Sequence, residues 1–341
     1  MTPSQPPKAV IFGCAGAALT DAERRFFADT QPLGFILFQR NCETPDQLRA
    51  LVADMRATLG RADAPVLIDQ EGGRVARLRP PHWRASPTAG SIGDLTARDW
   101  IGGIEAARLN AMLIAAELHD AGITINCAPV LDLPIAGAGD AIGDRAFGDN
   151  PAVAGALGGA VCGGLMAGGV LPVIKHMPGL GRAMIDSHHE LPKIDESLDV
   201  LRASDLAPFQ QLRESPWGMT AHIVCSAIDH KPATQSKPVI ERLIRGEIGF
   251  EGVLFSDDLS MAALAGGLGE RAALSLEAGC DVVEHCNGVL DEMQAVAAAV
   301  GPLSDGAQTR IAAAEARRET APEAVDRVAL EARLSELLAD Q

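Results

Sequence analysis

The sequence lacks the features that mark membrane-spanning and nucleic-acid-binding proteins. No apolar run in the 341 residues reaches the roughly 18 residues that a membrane span needs. Lysine and arginine number 29 against 45 acidic residues, the net charge is −16, and no cluster of basic residues forms a stripe. Because binding of a phosphate backbone depends on such a stripe, we expect neither a nucleic-acid partner nor a membrane partner.

Cysteine pairs and metal-ligand spacings are also missing. The seven cysteines are odd in number and show no CxxC spacing, which indicates reduced core thiols in a reducing compartment. No HExxH or equivalent histidine spacing is present, so we expect no metal ion and no cofactor. The apolar stretch Ala9–Leu19 after Lys8 has the length of a signal-peptide core, but Gly13 and Gly16 interrupt it. We therefore expect a cytoplasmic protein.

The composition indicates one globular unit. Apolar residues make up 47% and charged residues 22% of the chain, the balance of a folded protein with a large core. The length suits two average domains or a single (β/α)8 barrel. No linker, repeat or low-complexity stretch divides the chain. We expect one domain over residues 1–341, with its core at about residues 8–300.

Short apolar runs alternate with helical patterns along the chain. The runs are Ala9–Phe12, Gly34–Phe38, Pro65–Ile68, Thr124–Cys127, Leu171–Ile174, Gly218–Thr220, Gly252–Phe255 and Asp281–Glu284. They are mostly continuous apolar rather than alternating, as in parallel strands buried on both faces. Helix-start signals lie between them, among them Thr44-Pro45, Asn150-Pro151 and Lys237-Pro238. The pattern predicts an α/β fold, a closed (β/α)8 barrel, although an open doubly wound sheet fits it too.

The last part of the chain has a different pattern. After about Asp305 it is rich in Ala, Glu and Arg, and Leu330, Leu334, Leu337 and Leu338 recur at helical spacing. This predicts a C-terminal helical appendage, at about residues 303–341, rather than a second domain.

A first group of polar residues follows the third predicted strand. In a barrel, the loops after the strands converge on one face. Here Asp69 begins a loop that contains Glu71, a pair of glycines, Arg74 and Arg77. The glycines let the backbone approach a ligand, and the arginines add hydrogen-bond donors. The alternative is a simple turn in which Arg74 pairs with Glu71.

A second group follows the fifth predicted strand. Lys175 and His176 directly follow the predicted end of this strand and precede a loop rich in Pro and Gly. Asp186 and His188 are two residues apart in this loop, so in an extended conformation they share a side. A carboxylate bonded to one ring nitrogen fixes the tautomer and raises the basicity of the other. The spacing indicates an acid/base pair; the alternative is a solvated loop whose histidines cap turns.

A third group follows the seventh predicted strand. Asp257 and Asp258 are adjacent; one can cap a turn, while the other is a candidate nucleophile. The alternative is that both cap the turn. Further candidates at the same opening are Asp132, Arg145, His222 and Asn287.

Six motifs in this order resemble glycoside hydrolase family 3, specifically its β-N-acetylhexosaminidases. They are Asp-Gln-Glu-Gly-Gly-Arg-Val, Gly-Asp-Arg-x-Phe-Gly, Lys-His-x-Pro-Gly, Asp-Ser-His, Met-Thr-Ala-His and Gly-Phe-Glu-Gly-Val-x-Phe-Ser-Asp-Asp-Leu-x-Met, over roughly residues 9–290. The resemblance implies a single TIM-like barrel and a retaining mechanism with a covalent glycosyl-enzyme. By it, Asp257 is the nucleophile, His188 the general acid/base and Asp186 its partner. It also implies a group of sugar-binding residues: Asp69, Arg77, Arg145, Lys175 and His176.

The implied substrate is N-acetylglucosaminyl-β-1,4-anhydro-N-acetylmuramic acid, with or without its peptide, in peptidoglycan recycling. We expect a monomer that acts on this small molecule. The chain departs from the family where Leu180 stands in place of a frequent His and Arg182-Ala183 in place of Asp-Thr, so loop packing or aglycone contacts are expected to differ. The alternatives are a family 3 β-glucosidase or phosphorylase, a Schiff-base aldolase using Lys175, and a sugar-binding protein without turnover.

Overall fold

The structure is a computed structural model that describes residues 6–187, 190–322 and 324–339. Within these residues the strands are β1 (Lys8–Phe12), β2 (Pro32–Leu37), β3 (Val66–Ile68), β4 (Ile125–Asn126), β5 (Leu171–Met177), β6 (Lys193–Ile194), β7 (Trp217–Thr220), β8 (Val224–Cys225), β9 (Val253–Asp258) and β10 (Val282–His285). Eight of them close a parallel barrel in the order β1-β10-β9-β7-β5-β4-β3-β2. All eight predicted strands are confirmed.

The pairing of the first strand with the last one closes the barrel. Val10 lies opposite Val283 in this pair, so the open-sheet alternative is wrong. β6 and β8 form a separate two-stranded parallel sheet that the sequence analysis did not predict.

Helices surround the barrel between its strands. They are α1 (Asp21–Thr30), α2 (Pro45–Leu59), α3 (Ala89–Arg98), α4 (Trp100–Asp120), α5 (Pro151–Ala167), α6 (Leu198–Ala203), α7 (Ala207–Gln211), α8 (Leu268–Ala278), α9 (Leu290–Ala299), α10 (Asp305–Glu315) and α11 (Arg327–Leu338). Short 3₁₀ turns cover Gln39–Asn41, Gly143–Arg145 and Ala233–Gln235, and Val239–Glu247 is π-helical. None of the described helices is both long and apolar enough to cross a membrane.

Two of the three predicted helix starts have side-chain caps. The Thr44 hydroxyl accepts a hydrogen bond from the Gln47 amide at 3.3 Å, and the Asn150 side chain accepts one from Ala152 at 2.9 Å. Such caps satisfy amides that have no partner inside the helix. The helix predicted after Lys237-Pro238 forms with π-helical rather than α-helical hydrogen bonds.

The C-terminal helices are an appendage on the barrel, as predicted. Arg310 of α10 holds Asp281, just before β10, through two hydrogen bonds of 2.9 and 2.6 Å. In α11, Leu334 is buried among residues of α3 and α4, and the other three predicted leucines pack partly buried around it. The barrel itself is filled with apolar side chains, and the seven free cysteines include six that are buried.

Candidate active site

A cavity of about 270 Å³ opens at the carboxyl ends of the barrel strands. It brings together the sequence-predicted residues Asp69, Arg77, Arg145, Lys175, His176, Asp186 and Asp257. His188, the predicted acid/base, lies outside the described residues. The three loops identified from the sequence therefore meet at one site, because parallel strands of a closed barrel end on the same face.

Two of the predicted residues lie inside a strand rather than after it. β5 continues through Lys175 and His176 to Met177, so the predicted end at Ile174 was wrong. Neighbouring chain segments keep the strand bonded on both sides. The Leu131 amide donates to the Lys175 carbonyl at 2.8 Å, and the Ala221 amide donates to the Met177 carbonyl at 2.7 Å. Both polar side chains are thus held on rigid backbone.

An ion network forms one side of the cavity. Lys175 Nζ lies 2.7 Å from Asp69 Oδ1 and 2.7 Å from Glu71 Oε1. Arg77 contacts the other Asp69 oxygen at 3.0 Å, while Arg145 binds Glu71 through two hydrogen bonds of 2.9 and 2.8 Å. Lys175 is only 2% exposed, so the network is shielded from water and screened little by salt.

The network fixes the charge of its members. Burial alone raises the pKa of each carboxyl, but Lys175 and the arginines outweigh it, and the pKa of Glu71 falls to about 2. The pKa of Asp69 is also lowered, by Lys175 and Arg77 against the effect of burial. Burial lowers the pKa of Lys175, but Asp69 and Glu71 raise it above its usual value. A Schiff-base nucleophile must be a neutral amine, so this observation disfavours the aldolase alternative.

The loop after β3 is shaped by its paired glycines. Gly72 and Gly73 have φ values of 108° and 54°, a region that other residues rarely adopt. The alternative pairing of Arg74 with Glu71 is wrong: Glu71 is occupied by Lys175 and Arg145, and Arg74 instead binds Asp144 at 2.7 Å.

His176 is oriented by a buried carboxylate. Its Nδ1 lies 2.6 Å from Asp132 Oδ2, and Asp132 Oδ1 also accepts hydrogen bonds from the His176 and Leu180 amides. A carboxylate at Nδ1 keeps the proton there and leaves Nε2 as an acceptor in the neutral ring. Asp132 therefore fixes the orientation of the His176 ring and stabilises the start of the following loop.

The adjacent carboxyls Asp257 and Asp258 form the last two residues of β9, not the loop after it as predicted. Asp258 accepts hydrogen bonds from the Ser260 amide, the Ser260 hydroxyl and the Cys286 amide. Asp257 accepts one from the Asp258 amide at 2.8 Å and lines the cavity. Asp258 thus organises the turn, while the Asp257 carboxyl is positioned at the cavity.

Its surroundings favour the ionised form of Asp257. Burial alone raises the pKa of Asp257, but the imidazoles of His222 and His176, the Asp258 amide and the Lys175 ammonium hold it below its ordinary value. A carboxylate with a low pKa is ionised at neutral pH, the state that a nucleophile needs.

Two of the further candidates have supporting rather than cavity-lining positions. His222 is fully buried, with Nδ1 2.8 Å from the Thr234 hydroxyl and Nε2 3.0 Å from the Asp258 carbonyl. Asn287 binds the Glu292 carboxyl and accepts from the Val289 amide. They stabilise the backbone around the site.

The loop after β5 contains both departures from the family pattern. Leu180 is buried and lines the cavity, so the cavity wall is apolar at this position. Arg182 donates to Asp205 at 2.7 Å and to the Ser204 hydroxyl at 3.1 Å, next to α6. This anchors the base of the loop in which Asp186 and Ser187 line the cavity.

Glu284 also lines the cavity, and the sequence analysis did not select it. The available signal was a glutamate directly after two valines in the predicted strand Asp281–Glu284. Burial raises the pKa of Glu284 well above its usual value, and Asp69, Asp257 and Asp258 raise it further.

Comparisons with known proteins agree with this architecture. The profile described as "Glycosyl hydrolase family 3 N terminal domain" matches residues 10–320. A protein named Beta-hexosaminidase from Aromatoleum aromaticum is 37% identical over 94% of this chain and 90% of its own length. Another of that name from Alkalilimnicola ehrlichii is 40% identical over 82% of this chain and 80% of its own. The crystal structure of NagZ from Neisseria gonorrhoeae in complex with N-trifluoroacetyl-D-glucosamine has a TM-score of 0.89, with 33% identity over 99% of this chain and 100% of that one. The chain therefore belongs to glycoside hydrolase family 3 and is a glycoside hydrolase of the β-hexosaminidase type.

Proposed function

We propose that this protein is a retaining exo-β-N-acetylglucosaminidase. Its substrate is N-acetylglucosaminyl-β-1,4-anhydro-N-acetylmuramic acid, with or without peptide, and its role is peptidoglycan recycling. One observation carries the proposal: Asp257 and Asp186 line the same cavity as the ion network of Lys175 and Asp69. The β-hexosaminidase relatives and the NagZ complex with an N-acylated glucosamine support the choice of sugar.

The proposed reaction has two steps. In the first, the Asp257 carboxylate attacks the anomeric carbon and forms an ester, while His188 gives a proton to the departing glycosidic oxygen. In the second, His188 takes a proton from water, and the hydroxide attacks the same carbon and releases Asp257. Two inversions give net retention. Asp186 is the positioning partner of His188, since a carboxylate on one ring nitrogen raises the basicity of the other.

The use of an imidazole has an electrostatic rationale. Most retaining glycosidases use a second carboxyl group as the acid/base. An imidazole carries no negative charge in either step, so it avoids the repulsion that a second carboxylate beside Asp257 would bring, and the leaving sugar of the proposed substrate is itself anionic.

In this proposal, the ion network and His176 bind the terminal sugar. Arg77, Arg145 and Lys175 offer charged donors, Asp69 is an acceptor, and His176 offers the nitrogen that Asp132 leaves open. Charged partners give stronger hydrogen bonds than neutral ones, and networked side chains keep their geometry before the substrate arrives.

We propose further that residues 1–341 form a single catalytic domain of a monomeric, cytoplasmic enzyme.

The direct test compares hydrolysis of the p-nitrophenyl β-glycosides of N-acetylglucosamine and of glucose by wild type and Asp257→Ala. Preference for the N-acetylglucosaminide, and its loss in the variant, supports the proposal. Faster hydrolysis of the glucoside supports the β-glucosidase alternative. Release of sugar 1-phosphate that depends on added phosphate identifies a phosphorylase. Full activity in Asp257→Ala contradicts the assignment of the nucleophile.

A further inference from the structure

The buried carboxyl group of Glu284 has no role in the mechanism above. It belongs to β10, is 2% exposed and lines the catalytic cavity. Among the described residues, its Oε2 has no hydrogen-bond partner. Its Oε1 has one weak contact, from the Cys286 thiol at 3.6 Å. A buried polar atom without a partner is destabilising, so Oε2 is available to bind a polar group that enters the cavity.

Glu284 faces other acids from the neighbouring strands. Asp257 and Asp258 of β9 lie beside it, Asp258 being its pairing partner, and Asp69 faces it from the loop after β3. The Lys175 ammonium lowers the pKa of Glu284, but this ammonium is already bound by Asp69 and Glu71. The buried thiols of Cys127 and Cys286 are further titratable groups near Glu284 among the described residues.

This charge pattern determines which form of Glu284 exists at neutral pH. Asp257 and Asp69 are held ionised by their own partners, so a third negative charge among them is strongly disfavoured. Glu284 therefore keeps its proton. A protonated carboxyl group carries one O–H donor, whereas an ionised one only accepts.

The wall formed by β9 and β10 otherwise offers acceptors. Asp257 and Asp258 present carboxyl oxygens, whereas the donors Arg77, Arg145 and Lys175 belong to β5 and to the loops after β3 and β4. A saccharide carries oxygens that can only accept, such as the ring oxygen and an acetamido carbonyl. A sugar seated against Asp257 therefore needs a donor on this wall.

We propose that Glu284 is a sugar-binding residue whose carboxyl group donates a hydrogen bond to an acceptor oxygen of the saccharide bound against Asp257. This deepens the proposed function, on which it rests. It also makes sugar affinity depend on pH. As pH rises through the raised pKa, Glu284 loses its proton, the donor is lost and a negative charge appears, so the sugar binds more weakly.

The test is calorimetric binding of N-acetylglucosamine to wild type, Glu284→Gln and Glu284→Leu from neutral to alkaline pH. Binding does not require proton transfer by His188, so the measured affinity reports on Glu284 independently of the acid/base step. Glutamine keeps a neutral donor and has the same shape; leucine removes the donor. Thermal unfolding of each variant checks that it is folded.

We expect wild-type affinity to fall at alkaline pH. Glu284→Gln should bind N-acetylglucosamine within about threefold of wild type at neutral pH, and its affinity should not fall at alkaline pH. Glu284→Leu should bind the sugar about tenfold more weakly than wild type, which is the effect of losing one hydrogen bond. Wild-type affinity in Glu284→Leu, or an unchanged alkaline fall in Glu284→Gln, overturns the inference. Absence of N-acetylglucosamine binding and of glycoside hydrolysis in the wild type contradicts the proposed function instead.

Discussion

Lys175 and Asp69 lie 2.7 Å apart, nitrogen to oxygen, and connect β5 with the loop after β3 across the mouth of the barrel. The same ammonium contacts Glu71. One buried cation thus bridges two carboxylates at the place where the sugar is proposed to bind.

We predict that Lys175→Ala lowers the free energy of unfolding by about 1–3 kcal/mol, because Asp69 and Glu71 each lose one cationic partner while Arg77 and Arg145 remain. Urea denaturation measures this. The matched control is Lys237→Ala, whose ion pair with Glu241 is well exposed at 65% and 62%; it should change stability by less than about 0.5 kcal/mol. Equal effects of the two substitutions contradict a stabilising role for the Lys175 network.

Stability should fall in acid because of the same network. The pKa values of Asp69 and Glu71 are lower in the folded protein than in the unfolded chain, since Lys175 and the arginines outweigh burial. The stabilisation they give is therefore present above about pH 4, the unfolded value, and is lost as pH falls toward the Glu71 value of about 2. Melting temperatures between pH 5 and pH 2 measure the loss. In Lys175→Met the fall should be shallower; an identical slope shows that other carboxyls cause it.

We predict that Arg145→Lys lowers kcat/KM for the N-acetylglucosaminide by about 10–100-fold, because lysine cannot reproduce two parallel hydrogen bonds to Glu71. The control is Arg74→Lys, which replaces an arginine 43% exposed and paired with Asp144 at the rim; we expect less than about a threefold change. Steady-state kinetics of both variants measure this. Equal losses of kcat/KM in the two variants contradict a specific role for Arg145.

Much of the fold and part of the site could be predicted from the sequence. Short runs, mostly continuous and apolar, marked all eight barrel strands, because strands covered on both faces contain few polar residues. The limits of β5 and β9 could not be predicted: Lys175 and Asp257 look like the first residues of loops, and only pairing with neighbouring strands keeps them in the sheet. Pairings between distant residues, such as Arg74 with Asp144, depend on tertiary structure and leave no local pattern.

Glu284 shows the limit most clearly. A lone glutamate in a strand is compatible with surface exposure, with an ion pair or with a buried acid. Only the assembled barrel shows that three other carboxyls surround it and that one of its oxygens has no partner among the described residues.

Substitution of the proposed acid should depend on the leaving group. We predict that His188→Ala slows the first step least for aryl glycosides with good phenolate leaving groups, since these need little protonation. Asp186→Ala should show the same trend, and the double variant should be no slower than His188→Ala, because the two residues act as one unit. Rates plotted against leaving-group pKa test this. Equal loss for all leaving groups refutes the acid role.

The central claim is that Asp257 forms an ester with the sugar. A 5-fluoro-N-acetylglucosaminyl fluoride tests it most directly, because the ring fluorine slows both steps while the fluoride leaving group keeps the first one fast enough for the ester to accumulate. Mass spectrometry of the digested protein should find the sugar on the peptide that contains Asp257. A label on Asp258, Glu284 or Glu71, or full labelling of Asp257→Ala, would contradict the account.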